Sequence, residues 1–477
     1  MKQFTLSLLI CCSTFAAVSA QTVVAAEDQG VVLRFILELG VPISLDYDVQ
    51  NYKITYTTTD PFGQPDTATG LLTLPVQDEL VSPLVVYNHG TVAGPDLVPS
   101  VEGVLERFIP QGFAGRGFIG VAPDYLGLGD SDGIHPYLHA ATQASAGRDM
   151  VVAVRAWLDE QGVTYNDQVF VTGYSQGGHA SASFQRAVEA EADAPFAVSA
   201  AAHLSAPFDV AEPSPALLGL PNADPRLLSF FLNTAISYNF AYDLYGGLDG
   251  LFNEPYLTEA RRFVNGEQDL YEMGNAVSDS LTARNDIIGS IFSDAFVTDV
   301  LDEDPTLFNA YNENDVFDFT PQAPTLIYYC NGDMTVAPSN SLLAAETYTA
   351  NGIDSLLLID GGDLDHGSCA IPAAVAALEF FEGLANFFPV STEQVVSRPD
   401  VVLSPNPSGS GANPRLTGVG AQPHPYLVYD FSGRTVLRGT TDAAGTIDLR
   451  GRLLAGNYLL RVQLPDGNYV VRKLTRL

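Results

Sequence analysis

The sequence predicts an α/β fold: a mostly parallel central sheet with helices on both faces, a helical insertion near its end, and a small β-sandwich behind it. Three observations carry this expectation. Before about residue 390, short apolar runs alternate with longer helical patterns, which is the rhythm of a parallel sheet crossed over by helices. The alternation stops between about residues 207 and 321, where Phe, Tyr and Asn are dense and helical patterns dominate. From Arg398 the charge reverses: ten Lys and Arg stand against five Asp, although the whole chain carries −34. Such a break predicts a domain boundary.

The chain begins with Met1, Lys2, an apolar stretch from Phe4 to Val18 and a small-residue end at Val18-Ser19-Ala20. Residues 1–20 therefore read as a secretory signal peptide, followed by a main domain at 21–397 and a C-terminal domain at 398–477. No later segment offers about 18 uninterrupted apolar residues, so no transmembrane segment is expected in the mature protein. Cys11 and Cys12 fall inside the leader, which leaves Cys330 and Cys369 in an oxidising compartment where they could pair. With 46% hydrophobic residues the composition is that of a folded protein, and 477 residues exceed a single core.

Taken in order, the alternating stretches Tyr52 to Thr59 and Thr67 to Leu74 predict an antiparallel pair of strands. Buried strands are expected at Pro83 to Tyr87, Phe118 to Ala122, Val169 to Gly173, Phe196 to Leu204, Thr325 to Cys330 and Ser355 to Ile359. Helices are expected at Val101 to Ile109, Thr142 to Gln161, His179 to Ala192 and Ser339 to Asn351. The aromatic cluster of the insertion, Phe230, Phe231, Tyr238, Phe240, Tyr242, Tyr245 and Phe252, reads first as the core of a helical subdomain. Its place between two strands makes the subdomain overhang the sheet's carboxyl edge, where sites form in open α/β sheets. Behind the Pro- and Gly-rich stretch from Pro405 to Pro414, short β-type runs occur at Tyr426 to Asp430, Thr446 to Leu449, Tyr458 to Gln463 and Tyr469 to Leu474.

Charge and motifs narrow the function classes. Twenty-two basic residues against 56 acidic ones exclude a phosphate-backbone footprint, so no nucleic acid is expected. No basic residue occurs between Arg284 and Arg398. That acidity reads as a solvated face before it reads as a calcium site. No H-E-x-x-H, paired C-x-x-C or P-loop occurs, so neither a metal nor another cofactor is expected.

The chemistry is carried by Val169-Phe170-Val171-Thr172-Gly173-Tyr174-Ser175-Gln176-Gly177-Gly178, a buried strand running through G-x-S-x-G into a helix. This is a nucleophile elbow in the context it requires. Ser175 is the candidate nucleophile. A serine hydroxyl needs a histidine to take its proton and an acid to orient that histidine. Downstream of the insertion only His366 and His424 remain, and His424 lies in the C-terminal domain, so His366 is the candidate base, expected in a Gly- and Asp-rich loop. Asp333, in Asn331-Gly332-Asp333 directly after a strand, is the candidate acid; Asp360, Asp363 and Asp365 are its rivals. His179 and His203 read as structural, and His89 as a loop histidine holding its own backbone. The oxyanion donors are expected to be the N–H groups of Gln176 and of Thr91, whose hydroxyl could add a further bond.

The stretch from Tyr87-Asn88-His89-Gly90-Thr91, through Pro123-Asp124-Tyr125-Leu126-Gly127-Leu128-Gly129 and His135-Pro136-Tyr137-Leu138, to Gly173-Tyr174-Ser175-Gln176-Gly177-Gly178-His179 resembles secreted α/β-hydrolases of the secretory lipase group. The resemblance implies a carboxylester hydrolase acting on a small-molecule or lipid ester, with Ser175, Asp333 and His366 as its triad under a helical lid. The end of the chain resembles a type IX secretion C-terminal sorting domain at Leu403-Ser404-Pro405-Asn406-Pro407-Ser408, Tyr429-Asp430-Phe431-Ser432-Gly433-Arg434 and Leu454-Ala455-Gly456-Asn457-Tyr458-Leu459-Leu460-Arg461-Val462. That implies passage through the periplasm and across the outer membrane, with the type IX machinery as partner and a secreted or cell-surface location. A carbohydrate- or surface-binding module is the alternative for this domain. For the whole chain the alternatives are a serine peptidase of the same fold and a catalytically silent binding protein.

Overall fold

The structure is a computed structural model that describes residues 21–77, 80–210, 212–353, 355–389, 398–409, 412–430, 435–449, 452–465 and 469–477. The expected leader at 1–20, and Phe431 to Arg434 of the sorting-domain motif, lie outside the described residues. The chain divides into two compact units, one running to Val76 and from Leu84 to Leu384, the other comprising Gln77–Pro83 with Ala385–Leu477.

The first unit is built on a twisted mixed sheet. Its strands are β1 (Val23–Val32), β2 (Val49–Thr59), β3 (Pro65–Pro75), β4 (Leu80–Asn88), β5 (Ile119–Pro123), β6 (Tyr165–Tyr174), β7 (Val198–Leu204), β8 (Thr325–Tyr329) and β9 (Leu356–Asp360), in the order β1-β2-β3-β5-β4-β6-β7-β8-β9. The first three and β5 pair antiparallel, β5 pairs parallel with β4, and β6 to β9 pair parallel in succession. Alternation along β6 shows why the sheet is covered twice. Val171 packs with Met150, Val154 and Phe184 of the helices Ala140–Gln161 and Gln176–Ala190. Phe170, on the opposite face, meets Phe381 of the helix His366–Glu382. Truncating such a fully buried Phe to Ala costs about 3–5 kcal/mol.

Four elements of the first unit depart from expectation. β9, expected as a buried strand, leaves Leu357 and Leu358 exposed, because it ends the strand order of the sheet. β1 carries no apolar alternation because most of its residues are exposed. The helix expected over Val101 to Ile109 is turn and 3₁₀ up to Arg107, and the α-helix runs instead over Phe108–Gly115. That helix buries Pro110, Gln111, Gly112, Phe113, Ala114 and Gly115, so it has no polar stripe to reveal its period. The helix His366–Glu382, with Pro372 inside it, is the fourth.

The insertion between β7 and β8 is helical. Its helices at Pro215–Leu218, Pro225–Tyr242 and Pro305–Asn312 each start with Pro behind a Ser or Asp whose side chain accepts from the first turn. This arrangement satisfies orphan N–H groups with a side-chain cap and places a proline where its missing donor costs nothing. Tyr238, Phe252, Met273, Leu281, Phe292 and Phe296 form its core. Most of the aromatic cluster thus packs inward, with Phe230, Phe231, Tyr242 and Tyr245 partly buried against that core.

The second unit holds a two-stranded antiparallel sheet, Val402–Ser404 with Arg415–Thr417, and a four-stranded one ordered Thr435–Thr440, Pro425–Tyr429, Gly456–Gln463, Tyr469–Arg476. Leu403, Leu416, Val428, Leu460 and Val470 share one core. The strand expected at Thr446 to Leu449 is reduced to a single bridge from Thr446 to Arg415. Ile447 and Leu449 are nevertheless buried in that core, which accounts for the apolar run.

Candidate active site

The elbow follows from close packing. A Cβ on Gly173 would stand 2.1 Å from the carbonyl oxygen of Gly177, and one on Gly177 would stand 1.9 Å from that of Asn88. Only glycine lets β4, β6 and the helix Gln176–Ala190 approach this closely. Between them Ser175 is held at φ 58° and ψ −121°, a strained conformation for a residue with a side chain. The turn places its hydroxyl above the strand ends.

The structure brings Ser175, His366 and Asp333 together. His366 Nε2 lies 2.9 Å from Ser175 Oγ, and His366 Nδ1 lies 2.6 Å from Asp333 Oδ2. Asp333 is 2% exposed, and its other oxygen accepts from the N–H groups of Thr335 and Val336, each at 2.9 Å. The carboxylate is thereby fixed with one oxygen left for the imidazole. His366 is the first residue of its helix, at the end of the expected loop. Two of the rival acids, Asp360 and Asp365, are occupied elsewhere. Asp360 accepts from Asn331 and from the Gly362 N–H; Asp365 caps the helix, accepting from Ser368 N–H, which lowers its pKa.

The segments after β8 and β9 that lead to Asp333 and His366 are tied to one another. Asn331 N–H donates to Gly362 O and Gly361 N–H to Tyr329 O, both at 2.7 Å. Cys330, directly after β8, and Cys369, in the first turn of the helix His366–Glu382, form a disulfide with their Cα atoms 6.2 Å apart.

The N–H groups of Thr91 and Gln176 have no acceptor among the described residues. The Gln176 N–H also opens a helix, whose end carries partial positive charge. The Thr91 hydroxyl, which could add a further bond, lies 2.9 Å from Tyr137 Oη. Thr91 and Gln176 line a cavity of about 540 Å³ that Asn233, Phe263 and Gln268 of the insertion roof over. On the other side of the elbow, Gly90, Tyr174 and Ala370 border an apolar cavity of about 350 Å³.

Three other histidines hold framework contacts. His179 bonds Gln143 and the Asn314 carbonyl, and His203 bonds Ser181 and Gln185. Burial lowers their pKa values to about 4 and about 3. His89 bridges the carbonyls of Gly90 and Asp124. Sequence reasoning missed Tyr174, whose hydroxyl donates to the His366 carbonyl and whose ring lies 5.0 Å from the imidazole. Its position immediately before the elbow serine is the signal that could have found it. Among the described residues there is no cluster of three or more His, Cys, Asp or Glu able to hold a metal, and no helix is long and apolar enough to cross a membrane.

No family model matches the sequence, and neither does any curated protein. Solved structures do match. A candidate hydrolase from Legionella pneumophila is 26% identical with a TM-score of 0.65, over 76% of this chain and 98% of its own. The rice cell wall degrading esterase LipA from Xanthomonas oryzae is 24% identical with a TM-score of 0.63, over the same shares. Candida antarctica lipase A is 16% identical with a TM-score of 0.59, over 76% of this chain and 83% of its own. The mixed sheet, its flanking helices and these likenesses establish an α/β-hydrolase fold with small antiparallel sheets at the C-terminus.

Proposed function

We propose that this chain is a serine carboxylester hydrolase. The observation that carries the reading is the hydrogen-bonded series from Ser175 through His366 to Asp333 at the carboxyl ends of the strands. In the mechanism that follows, Ser175 Oγ attacks the ester carbonyl while His366 Nε2 takes the hydroxyl proton and then passes it to the leaving alkoxide. Asp333 keeps the Nδ1 proton in place and stabilises the imidazolium. The N–H groups of Gln176 and Thr91 face the developing oxyanion, each worth about 3–4 kcal/mol. Water activated by His366 then releases the acid from the acyl-enzyme. The likeness to an esterase and a lipase supports an ester as substrate. The leader and the sorting-domain motifs support export through the periplasm and across the outer membrane, with the type IX machinery as partner. The test is a panel of p-nitrophenyl esters of increasing chain length run beside peptide anilides. Ester turnover is expected; anilide cleavage without ester cleavage would replace the esterase reading by the peptidase one.

A further inference from the structure

The two residues whose N–H groups are the proposed oxyanion donors are far apart in sequence, yet one short loop hydrogen-bonds the side chains of both. His135 Nδ1 lies 2.9 Å from the Leu126 carbonyl, which can only accept, so Nδ1 carries the proton and Nε2 is bare. That bare nitrogen is 2.8 Å from Gln176 Nε2 and accepts from it. Burial holds the His135 pKa at about 4, so the ring is neutral and able to accept at neutral pH. It also stacks on Tyr125 at 5.7 Å. Two residues on, Tyr137 Oη meets Thr91 Oγ1.

The loop is itself held from above. Ser237, in the insertion helix Pro225–Tyr242, accepts from Tyr137 N–H at 3.0 Å and donates to the His135 carbonyl at 2.9 Å. Its neighbour Tyr238 donates to the Leu138 carbonyl at 3.0 Å. Leu138 sits at φ 54°, a left-handed conformation that a leucine keeps only when its surroundings impose it.

We infer that His135 and Tyr137 are positioning residues for the oxyanion hole, and that the insertion helix holds them in register through Ser237 and Tyr238. The inference rests on the proposed hydrolase reading. It gives the insertion a second role beside roofing the cavity: movement of this helix is transmitted through one loop to both donors. Each donor must meet the oxyanion within a few tenths of an ångström, because its effect falls steeply with misplacement.

The experiment uses the full chain with a p-nitrophenyl ester, and a trifluoromethyl ketone whose hemiketal places an oxyanion in the same hole. Tyr137→Phe removes only the hydroxyl. It is expected to lower kcat about 10-fold and to weaken the ketone about as much, with KM changed less than about 2-fold, since the bond acts on the transition state. Ser237→Ala should show the same pattern more weakly, and His135→Gln, which keeps an acceptor, should retain more activity than His135→Leu. A merely structural role would lower the melting temperature and leave kcat and the ketone affinity of the folded enzyme intact; that result overturns the inference. If Tyr137→Phe fails to fold, Thr91→Val removes the other half of the same bond and must reproduce the loss. Wild-type protein inert toward every ester would overturn the hydrolase reading and this inference together, whereas an active wild type matched by an equally active Tyr137→Phe would overturn this inference alone.

Discussion

His366 and His424 stand one in each unit, both buried, and they differ in what faces their ring nitrogens. His366 has a fixed carboxylate on Nδ1 and a serine hydroxyl on Nε2. His424 has the Gln463 carbonyl 3.1 Å from Nδ1, and its Nε2 has no partner among the described residues. A carbonyl can hold a proton on Nδ1 but carries no charge to offset that of the imidazolium formed when Nε2 accepts another. Burial alone therefore says little about a histidine. A base is made by a carboxylate behind it and a hydroxyl in front, and in this molecule that pairing occurs where two strand ends of the first unit meet an elbow.

The strongest way to break this comparison is to remove either end of the relay. Ser175→Ala and His366→Ala are each expected to reduce ester hydrolysis by about 10⁴-fold or more, with an unchanged circular dichroism spectrum, because the members act as a unit. His424→Phe should leave the rate on the same ester near wild type. Asp333→Asn keeps the shape of the carboxylate and loses its charge, so its deficit should be smaller, by roughly one to two orders of magnitude. Steady-state kinetics on the four purified variants rank them.

Acid provides the next test. Burial lowers the pKa of His135, His139 and His179 to about 4 and that of His203 to about 3, all below the unfolded value near 6.5. The unfolded chain therefore binds these protons first. Their stabilisation is complete above about pH 6.5 and is lost as pH falls toward 4, at up to about 1.4 kcal/mol per pH unit per group. Urea unfolding at pH 7 and pH 5 should show a loss of several kcal/mol. Equal midpoints would contradict it.

The disulfide sharpens the account of the segments that lead to Asp333 and His366. Cys330 and Cys369 close a loop with a sequence separation of 39, which stabilises the fold by about 4 kcal/mol in the chain-entropy treatment. Cys330→Ala with Cys369→Ala should lower the melting temperature and reduce activity before global unfolding. Retained activity up to the unfolding transition would show that these segments hold their geometry without the bridge. The smallest effect is expected from the second unit: removing 398–477 should leave the specific activity of purified enzyme unchanged while abolishing export. A soluble, folded truncation with lowered turnover would give that unit a part in hydrolysis.

Much of the site was legible because short tethers carry it. Gly173, Ser175 and Gly177 lie within one turn of chain, and Asp333 and His366 follow strands whose apolar runs are plain. The parallel strands were readable for the same reason, since β4, β5, β7 and β8 are buried along most of their length and β6 over Val169 to Gly173. The exposed β1 offered no such run, and proline and glycine disguised the helices Phe108–Gly115 and His366–Glu382. The brace on the oxyanion donors was out of reach for a different reason. Thr91 and Tyr137 are 46 residues apart, and Tyr137 and Ser237 are 100, so their meeting depends on tertiary packing that no local pattern encodes. The motif His135-Pro136-Tyr137-Leu138 was visible; what its side chains hold was not.

The central claim is that ester hydrolysis runs through an acyl group on Ser175. Acid-quenching the enzyme during turnover of a p-nitrophenyl ester, followed by peptide mass spectrometry, tests it directly. One acyl adduct is expected, on the peptide containing Ser175, and none in Ser175→Ala. Turnover that persists in Ser175→Ala, or an adduct on another residue, would contradict it.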